Sequence, residues 1–541
     1  MFPSRPTRRR LLGLGLLATI AAASAAQAAD IHVPGDFPTI TIAINNASDG
    51  DTIIIAPGNY FQPIDLGNKQ ISLIGSGGPE VTTINAFGKG SALRITGGQS
   101  LDTVIEGLTF TGGLAYRGAG VFINNASATI RNCHFINNHA TLTAPGGSDP
   151  GDGGGLFIEN GSLVLENCEF LANTAADLGG GAYVRTNTNV TMTACHFEGN
   201  IADRGAGMAT FNGTASIFDS TFLMNGTTAD TNHGGGLHIA GSNSNVLVDR
   251  SLFEGNAIFD DGFAVMARDG SQVELRNSLF LDNIGANGPT PNGTIYSLGP
   301  GTHINVFHCT LVGNSSTDIA AGLRTFGGGT IEFRNGIIWD NNGPAVAPGG
   351  DSPITLSYSL IQDLAVSNCC ATIGATGCDN AACESLICSQ DPFCCQTQWD
   401  SLCADAANEQ CDVCTGGSDV SDSDGNISID PMLDADLRPL PGSPVIDAAD
   451  TTVLLGEDPR DFDMNPRAVN DPDTVITGIP VYGLTADMGA FEFQPEGGTG
   501  EPCPDPKCPE TTCPGDINGD GEVNVFDLLE LLGNWGTCPS S

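Results

Sequence analysis

The feature that most constrains this chain is a phrase repeated eight times between Gly118 and Asn342: an aromatic or aliphatic residue followed three positions later by asparagine. The pairs are Phe135/Asn138, Phe170/Asn173, Phe197/Asn200, Phe222/Asn225, Phe253/Asn256, Phe280/Asn283, Leu311/Asn314 and Ile338/Asn341, spaced 25 to 35 residues apart. Self-similarity at such a period marks a solenoid, a propeller or an array. Each unit opens on a Gly-rich strand start, clearest at Gly153-Gly154-Gly155, Gly179-Gly180-Gly181 and Gly234-Gly235-Gly236. Two or three short strands in a typical 27 residues, with no helix, fit one coil of a parallel β-helix. A propeller blade needs roughly 40–50 residues and four strands.

Within a unit the two faces can be told apart. In Gly155-Leu156-Phe157-Ile158-Glu159, Leu156 and Ile158 share one face, Phe157 and Glu159 the other. Stacked at a rung spacing of about 4.8 Å, the asparagines should bond one another in a ladder. Cys168 and Phe170 share parity and should point inward, and Cys133, Cys168 and Cys195 should stack as small buried hydrophobes. A disulfide between neighbouring rungs is the other geometric option. The outward column of the Gly-rich strands reads Phe122, Phe157, Tyr183, Ala209, His238, Val265, Tyr296 and Arg324. Five of these eight are aromatic or imidazole in a chain only 6% Phe, Trp and Tyr. The expectation is a ribbon of Phe122, Phe157, Tyr183, His238, Tyr296 and Arg324 able to stack on the sugar rings of an extended glycan. The competing expectation is that loops such as 141–152 and 226–233 fold over the column and bury it.

Residues 1–28 have the form of a secretory signal, with Arg8-Arg9-Arg10, an apolar run over 11–25 and Ala26-Gln27-Ala28. The run is short for a membrane span, and the stretch around Arg8 and Arg9 also resembles a twin-arginine signal. Residues 37–47 carry Ile40, Ala43, Ile44 and Ala47 at helical spacing, which suits a cap over the first coil. Strands are expected at 52–56, 71–74, 92–95 and 103–110. A formal charge of −42, with three lysines in the chain, argues against nucleic-acid and anionic-lipid partners.

Eighteen cysteines in an exported chain imply disulfides. Ten of them lie between Cys369 and Cys414 with no histidine among them, which favours about five bridges over zinc. The expected plan is a β-helix over 29–365, a cysteine-rich insert over 366–420, final coils over 421–494 from Ile427 onward, and a Pro/Gly/acidic linker over 495–512.

Residues 513–541 hold the most specific motif. Asp516, Asn518 and Asp520 stand at positions 1, 3 and 5 of a twelve-residue loop, Gly521 at 6, Glu522 at 7, Asn524 at 9 and Asp527 at 12. Hard oxygen ligands at this spacing match an EF-hand loop for Ca²⁺. Asp260-Asp261 with Arg268 nearby, and Asp203-Arg204, are the best local candidates for chemistry, but no cluster of carboxylates with a basic residue on a single face is legible. His134, His196 and His308 read as surface residues.

The paired Gly-rich and Phe-x-x-Asn refrains resemble those of secreted right-handed parallel β-helix proteins, including polymorphic outer-membrane types. The opening over 38–60, with Pro441-Gly442-Ser443-Pro444-Val445-Ile446-Asp447-Ala448 and Asp487-Met488-Gly489-Ala490-Phe491-Glu492, is similar to extracellular "choice-of-anchor" β-helix proteins. The coil architecture is shared with pectate lyases. The Ca²⁺ loop and the apolar stretch after it resemble half of a type I dockerin, which carries two such units where this chain has one, flanked by Cys513 and Cys538. These likenesses imply an all-β right-handed parallel β-helix with a disulfide-rich insert and a calcium-loop–helix tail. The function they imply is an extracellular or cell-surface scaffold binding glycan or matrix, with a cohesin-like partner for the tail. The rival expectation is a calcium-assisted polysaccharide lyase or glycoside hydrolase.

Overall fold

The computed structural model describes residues 28–141, 151–226, 233–258, 262–285, 293–316, 319–362, 381–397, 401–410, 425–454 and 459–495. Three long sheets run the length of the solenoid, and every strand pairs in parallel with its equivalents one coil before and one coil after. One coil shows the plan. Gly161–Glu166 lies in the first sheet, Glu169–Leu171 in the second and Ala182–Arg185 in the third, and Thr188–Thr193 returns to the first. The corner between the first and second sheets is two residues long, and its first residue is left-handed, as at Asn132, Asn167, Asp219, Asn277 and Asn335. Asparagine and aspartate tolerate that conformation better than most residues, hence their recurrence here.

Inside the coils the refrain is a packing code. Phe135, Phe170, Phe197, Phe222, Phe253 and Phe280 stack nearly parallel, with ring centroids 4.3 to 5.0 Å apart. Beside them the asparagine side chains form an unbroken ladder from Asn138 to Asn341, each Nδ2 donating to the next Oδ1 at 2.9 to 3.1 Å. Each Nδ2 also donates to a backbone carbonyl of the preceding coil, so the buried amide is fully used. Cys133, Cys168, Cys195 and Cys309 are free, buried thiols. The same column holds Ser220, Ser251 and Ser278, so the position selects a small side chain rather than a disulfide. Burial pushes the Cys133 and Cys309 thiols up to about 12.

The helix Ile40–Asn46 caps the first coil, with the Thr39 hydroxyl accepting from Ile42 N–H and Ile40, Ala43 and Ile44 buried. The strand expected over 103–110 is two strands, Val104–Glu106 and Thr109–Thr111, broken at Gly107. A two-residue corner preserves the alternation of inward residues, so pattern alone cannot see it.

In the insert the helices Ala381–Gln390, Phe393–Gln396 and Ser401–Gln410 are joined by the disulfides Cys388–Cys395 and Cys394–Cys403. Ile427 then pairs in parallel with Leu360, so the insert interrupts the solenoid between two coils. Beyond it the chain departs from the expected final coils. Described residues from 430 to 494 form no sheet strand and run back along the solenoid as a strap. Gly489 N–H donates to Asn335 O, Ala490 N–H to the Thr310 hydroxyl, and Arg467 Nη2 to Asn277 Oδ1. The strap's own turns are tied by buried carboxylates: Asp487 accepts from Asp447 N–H, Asp447 from Asp471 N–H, and Glu492 from Val469 and Asp487 N–H. His308, expected at the surface, lies under this strap at 3% exposure and bonds to Asp487 O and Asn335 Nδ2. Among the described residues no helix is long and apolar enough to cross a membrane.

Candidate functional site

The outward column of the third sheet exists in register: Phe122, Phe157, Tyr183, Ala209, His238, Met266, Tyr296 and Arg324 pair in turn. Val265, expected in it, is an inward core residue paired with Leu237. The lone Gly262 corresponds to the first glycine of the other units, which displaces the count by one.

Of the two expectations for the column, the structure shows the covered one and not the open ribbon. Phe122 is half-buried, while Phe157, Tyr183, His238, Tyr296 and Arg324 are all buried. From Phe122 to Met266 the glycine four positions before the column residue explains the cover; before Tyr296 and Arg324 that position is Asn292 and Ala320. At Gly179, with φ +67°, the incoming loop turns back over the strand, and a Cβ there would lie 2.8 Å from the Cβ of Tyr183. The same relation links Gly153 to Phe157 and Gly234 to His238. The Gly-rich starts therefore let the loops lie directly on the ring column. Arginines add to the cover, with Arg94 4.6 Å from the Phe122 ring centroid and Arg117 5.3 Å from that of Phe157.

Ala209 itself is closed over by Leu178 and Phe211, and the cover leaves a gap beside them, where the next outward row carries the small Ala240. A cavity of about 300 Å³ opens there, lined by Tyr183, His238, Arg185, Arg204, Arg268 and Asp177 among others. One register along the strands, Arg185, Phe211, Ala240 and Arg268 stand on successive coils, again with an alanine in the row. At about 4.8 Å per rung, these four coils make the site roughly 14 Å long. Stacking of the loops themselves sets Arg204 over it, since Leu178, Arg204 and His233 pair in parallel.

The site's charges are paired but remain on its wall. Arg204 bonds to Asp177, Arg185 Nε lies 3.5 Å from Glu159, and Arg268 Nε lies 3.0 Å from Asp269. His238 is 2% exposed, and neither ring nitrogen has a hydrogen-bond partner among the described residues. Burial, with His233, Arg204 and Arg268 nearby, holds it well below the usual histidine range, so it is neutral. Burial beside Asp152 likewise keeps the Tyr183 phenol protonated. Thr210, although it borders the cavity, pairs with the core residues Val184 and Ile239 and shares their inward face. Neutral donors and acceptors, ring edges and guanidinium forks suit a polyhydroxylated ligand with a negative or polar substituent. Among the described residues no carboxylate is hydrogen-bonded to His238.

The fold thus joins two stretches that the sequence offered separately, Arg204 and Arg268, and adds Arg185 and Phe211, which no local motif marks. A basic cluster on one face, not legible in the sequence, is made by stacking. Asp203, beside Arg204, is pushed up by burial and by Asp177. Asp260 and Asp261 lie outside the described residues, as do residues 1–27 and the loop of Asp516, Asn518, Asp520, Glu522, Asn524 and Asp527 with its flanking Cys513 and Cys538.

A family model described as "Right handed beta helix region" matches residues 70–253 and 219–361, which together span more than half of the sequence. No curated protein matches the chain. Among solved structures, pectate lyase Pel9A is similar at 12% identity and a TM-score of 0.34, over 86% of this chain and 96% of its own. The alginate lyase from Paenibacillus sp. shows 14% identity and a TM-score of 0.31, over 60% and 99%. Pectin methylesterase from carrot shows 14% and 0.28, over 62% and 91%. At those scores the likenesses carry no argument about this chain's chemistry.

Proposed function

The chain belongs to the right-handed β-helix family, and on that premise we propose that it is an extracellular scaffold that holds glycan, without cleaving it, on the outer face of its third sheet. The observation that carries this reading is the cavity itself. It is elongated across four coils and lined by Tyr183, His238 and three arginines, with buried polar groups unused. Sugars present hydroxyls for His238 and the arginines and an apolar ring face for Phe211 and Tyr183. In a chain of charge −42, the local arginines give a negative or polar substituent of the glycan a foothold.

The leader over 1–28 supports export. The Asp516–Asp527 spacing supports a Ca²⁺-binding tail that attaches the scaffold to a cohesin-like partner. A lyase or hydrolase is the second reading, because Asp177 and Asp269 share the cavity with the arginines.

A polysaccharide panel assayed for retention and for release of shorter chains, with and without Ca²⁺, separates these readings. Retention without release is expected. It should weaken at least tenfold in the double variant Arg204→Gln, Arg268→Gln. Release of oligosaccharides selects the enzyme. Retention that the double variant leaves unchanged removes the cavity from the account.

A further inference from the structure

A second, smaller cavity lies at the corner between the first and second sheets, roofed by the strap. Its volume is about 90 Å³. Successive coils contribute Arg250 and His308 from their corners and Arg276 from the end of a strand, and the strap contributes Arg460 and Arg467. Four of the chain's 20 Lys and Arg residues therefore converge on one void, with Asp249 the single carboxylate among its described lining residues.

The existing bonds of these side chains differ. Arg250 is held by Asp219 and Asp249 at 2.8 to 3.2 Å, and Arg276 by Glu274. Arg460 donates to Met464 O at 3.3 Å and is not otherwise free. Arg467 is fully buried; its Nη groups donate to Ala490 O, Phe491 O and Asn277 Oδ1, its Nη1 lies 3.8 Å from the Glu492 carboxyl, and its Nε has no hydrogen-bond partner among the described residues. Both nitrogens of His308 are engaged by Asp487 O and Asn335, so the imidazole is wall rather than ligand.

Two arginines of the solenoid thus face two of the strap across a small gap, and the five donors of a guanidinium can serve a further acceptor beside the partners it already has. A guanidinium edge is shaped to grip two oxygens of an oxyanion. A water takes on the order of 30 Å³ of liquid volume, so the gap has room for one sulfate-sized group in place of a few waters. We propose that this cavity is a site for a single tetrahedral oxyanion, sulfate or phosphate, gripped by Arg276, Arg460 and Arg467 and fastening the strap to the solenoid. The site is independent of the glycan cavity on the third sheet.

The test uses the full chain and inorganic sulfate or phosphate against sodium chloride at equal ionic strength. A ligand that binds only the folded state raises the melting temperature along a saturating curve. The expected result is a saturable rise of several degrees, with slower proteolysis within 445–492. Both effects should be lost in Arg276→Gln, Arg460→Gln, a pair of half-buried residues whose replacement leaves the buried Arg467 network in place. Sulfate also stabilises proteins generally by exclusion from their surface. A rise that does not saturate, or one equal in the double variant, is that general effect and overturns the proposal. A sulfated oligosaccharide added in parallel identifies the source: saturation by it too assigns the anion to a glycan ester, and saturation by inorganic anion alone assigns it to a free ion.

Discussion

At the scale of residues, the asparagine ladder and the cysteine column are neighbours with opposite tolerances. Asn200 donates to Phe170 O and Asn225 Oδ1 and accepts from both the side chain and the backbone of Asn173. Replacing it with alanine leaves several buried groups without partners, each worth about 1–3 kcal/mol. Asn200→Ala should therefore cost roughly 3 kcal/mol or more, measured as a fall in the urea midpoint. Cys168→Ser should cost no more than about 1–2 kcal/mol, because Ser220 and Ser251 already occupy this column and donate to the carbonyl two residues earlier. The buried thiols themselves should stay silent. Cys133, Cys168, Cys195 and Cys309 should resist alkylation in the folded chain and react in denaturant, a difference that peptide mapping reads directly. Gly179→Ala tests the cover of the ring column: its Cβ would sit 2.3 Å from Ala182 O in a left-handed turn. It should destabilise by about 1–3 kcal/mol or more, with Tyr183 becoming more exposed to solvent quenchers.

At the scale of elements, the strap is the part whose attachment should depend on pH. Burial pushes Asp447 up to about 6 and Asp487 to about 8, and raises Glu492 well above the usual carboxyl range. The folded strap therefore keeps protons that the unfolded chain, with carboxyls near pH 4, has released. That stabilisation is complete below about pH 4 and is lost as pH rises through 6 and then 8. His308, held neutral by burial and by Arg467, acts in the opposite sense: its contribution is present above about pH 6.5 and lost on acidification. Asp461, Asp471 and Arg467 face the same network. Amide protection factors over 445–492, that is, exchange corrected for its intrinsic base catalysis, should thus be highest in mildly acidic buffer and clearly lower at pH 9, with those of the asparagine-ladder coils much less affected. Equal protection at both pH values would show that the carboxyl groups do not hold the strap. The sequence marked these residues only by resemblance, since their partners lie up to 190 positions away.

At the scale of the whole molecule, the tail adds a further expected outcome. Calorimetric titration of the full chain with Ca²⁺ should show a binding event that disappears when the chain is ended at residue 512, because the oxygen ligands at 516–527 go with it. The solenoid, its handedness family, the inward stack and the ladder were all legible in the sequence, because each is periodic and each coil packs mainly against its neighbours. Parity likewise told the inward Leu156 from the outward Phe157. What parity could not tell was the fate of the outward face, since outward from the coil is not the same as open to water. Whether Phe157 and Tyr183 meet solvent depends on left-handed glycines that fold each loop back over the strand. The gap beside Ala240, the convergence of Arg185, Arg204 and Arg268 around His238, and the return of the strap over His308 depend on contacts between distant coils. Sequence alone therefore determined the repeating framework, which is local and periodic. Only the tertiary structure decided where that framework is covered and where it is left open, because that follows from which side chains happen to be small where neighbouring coils stack.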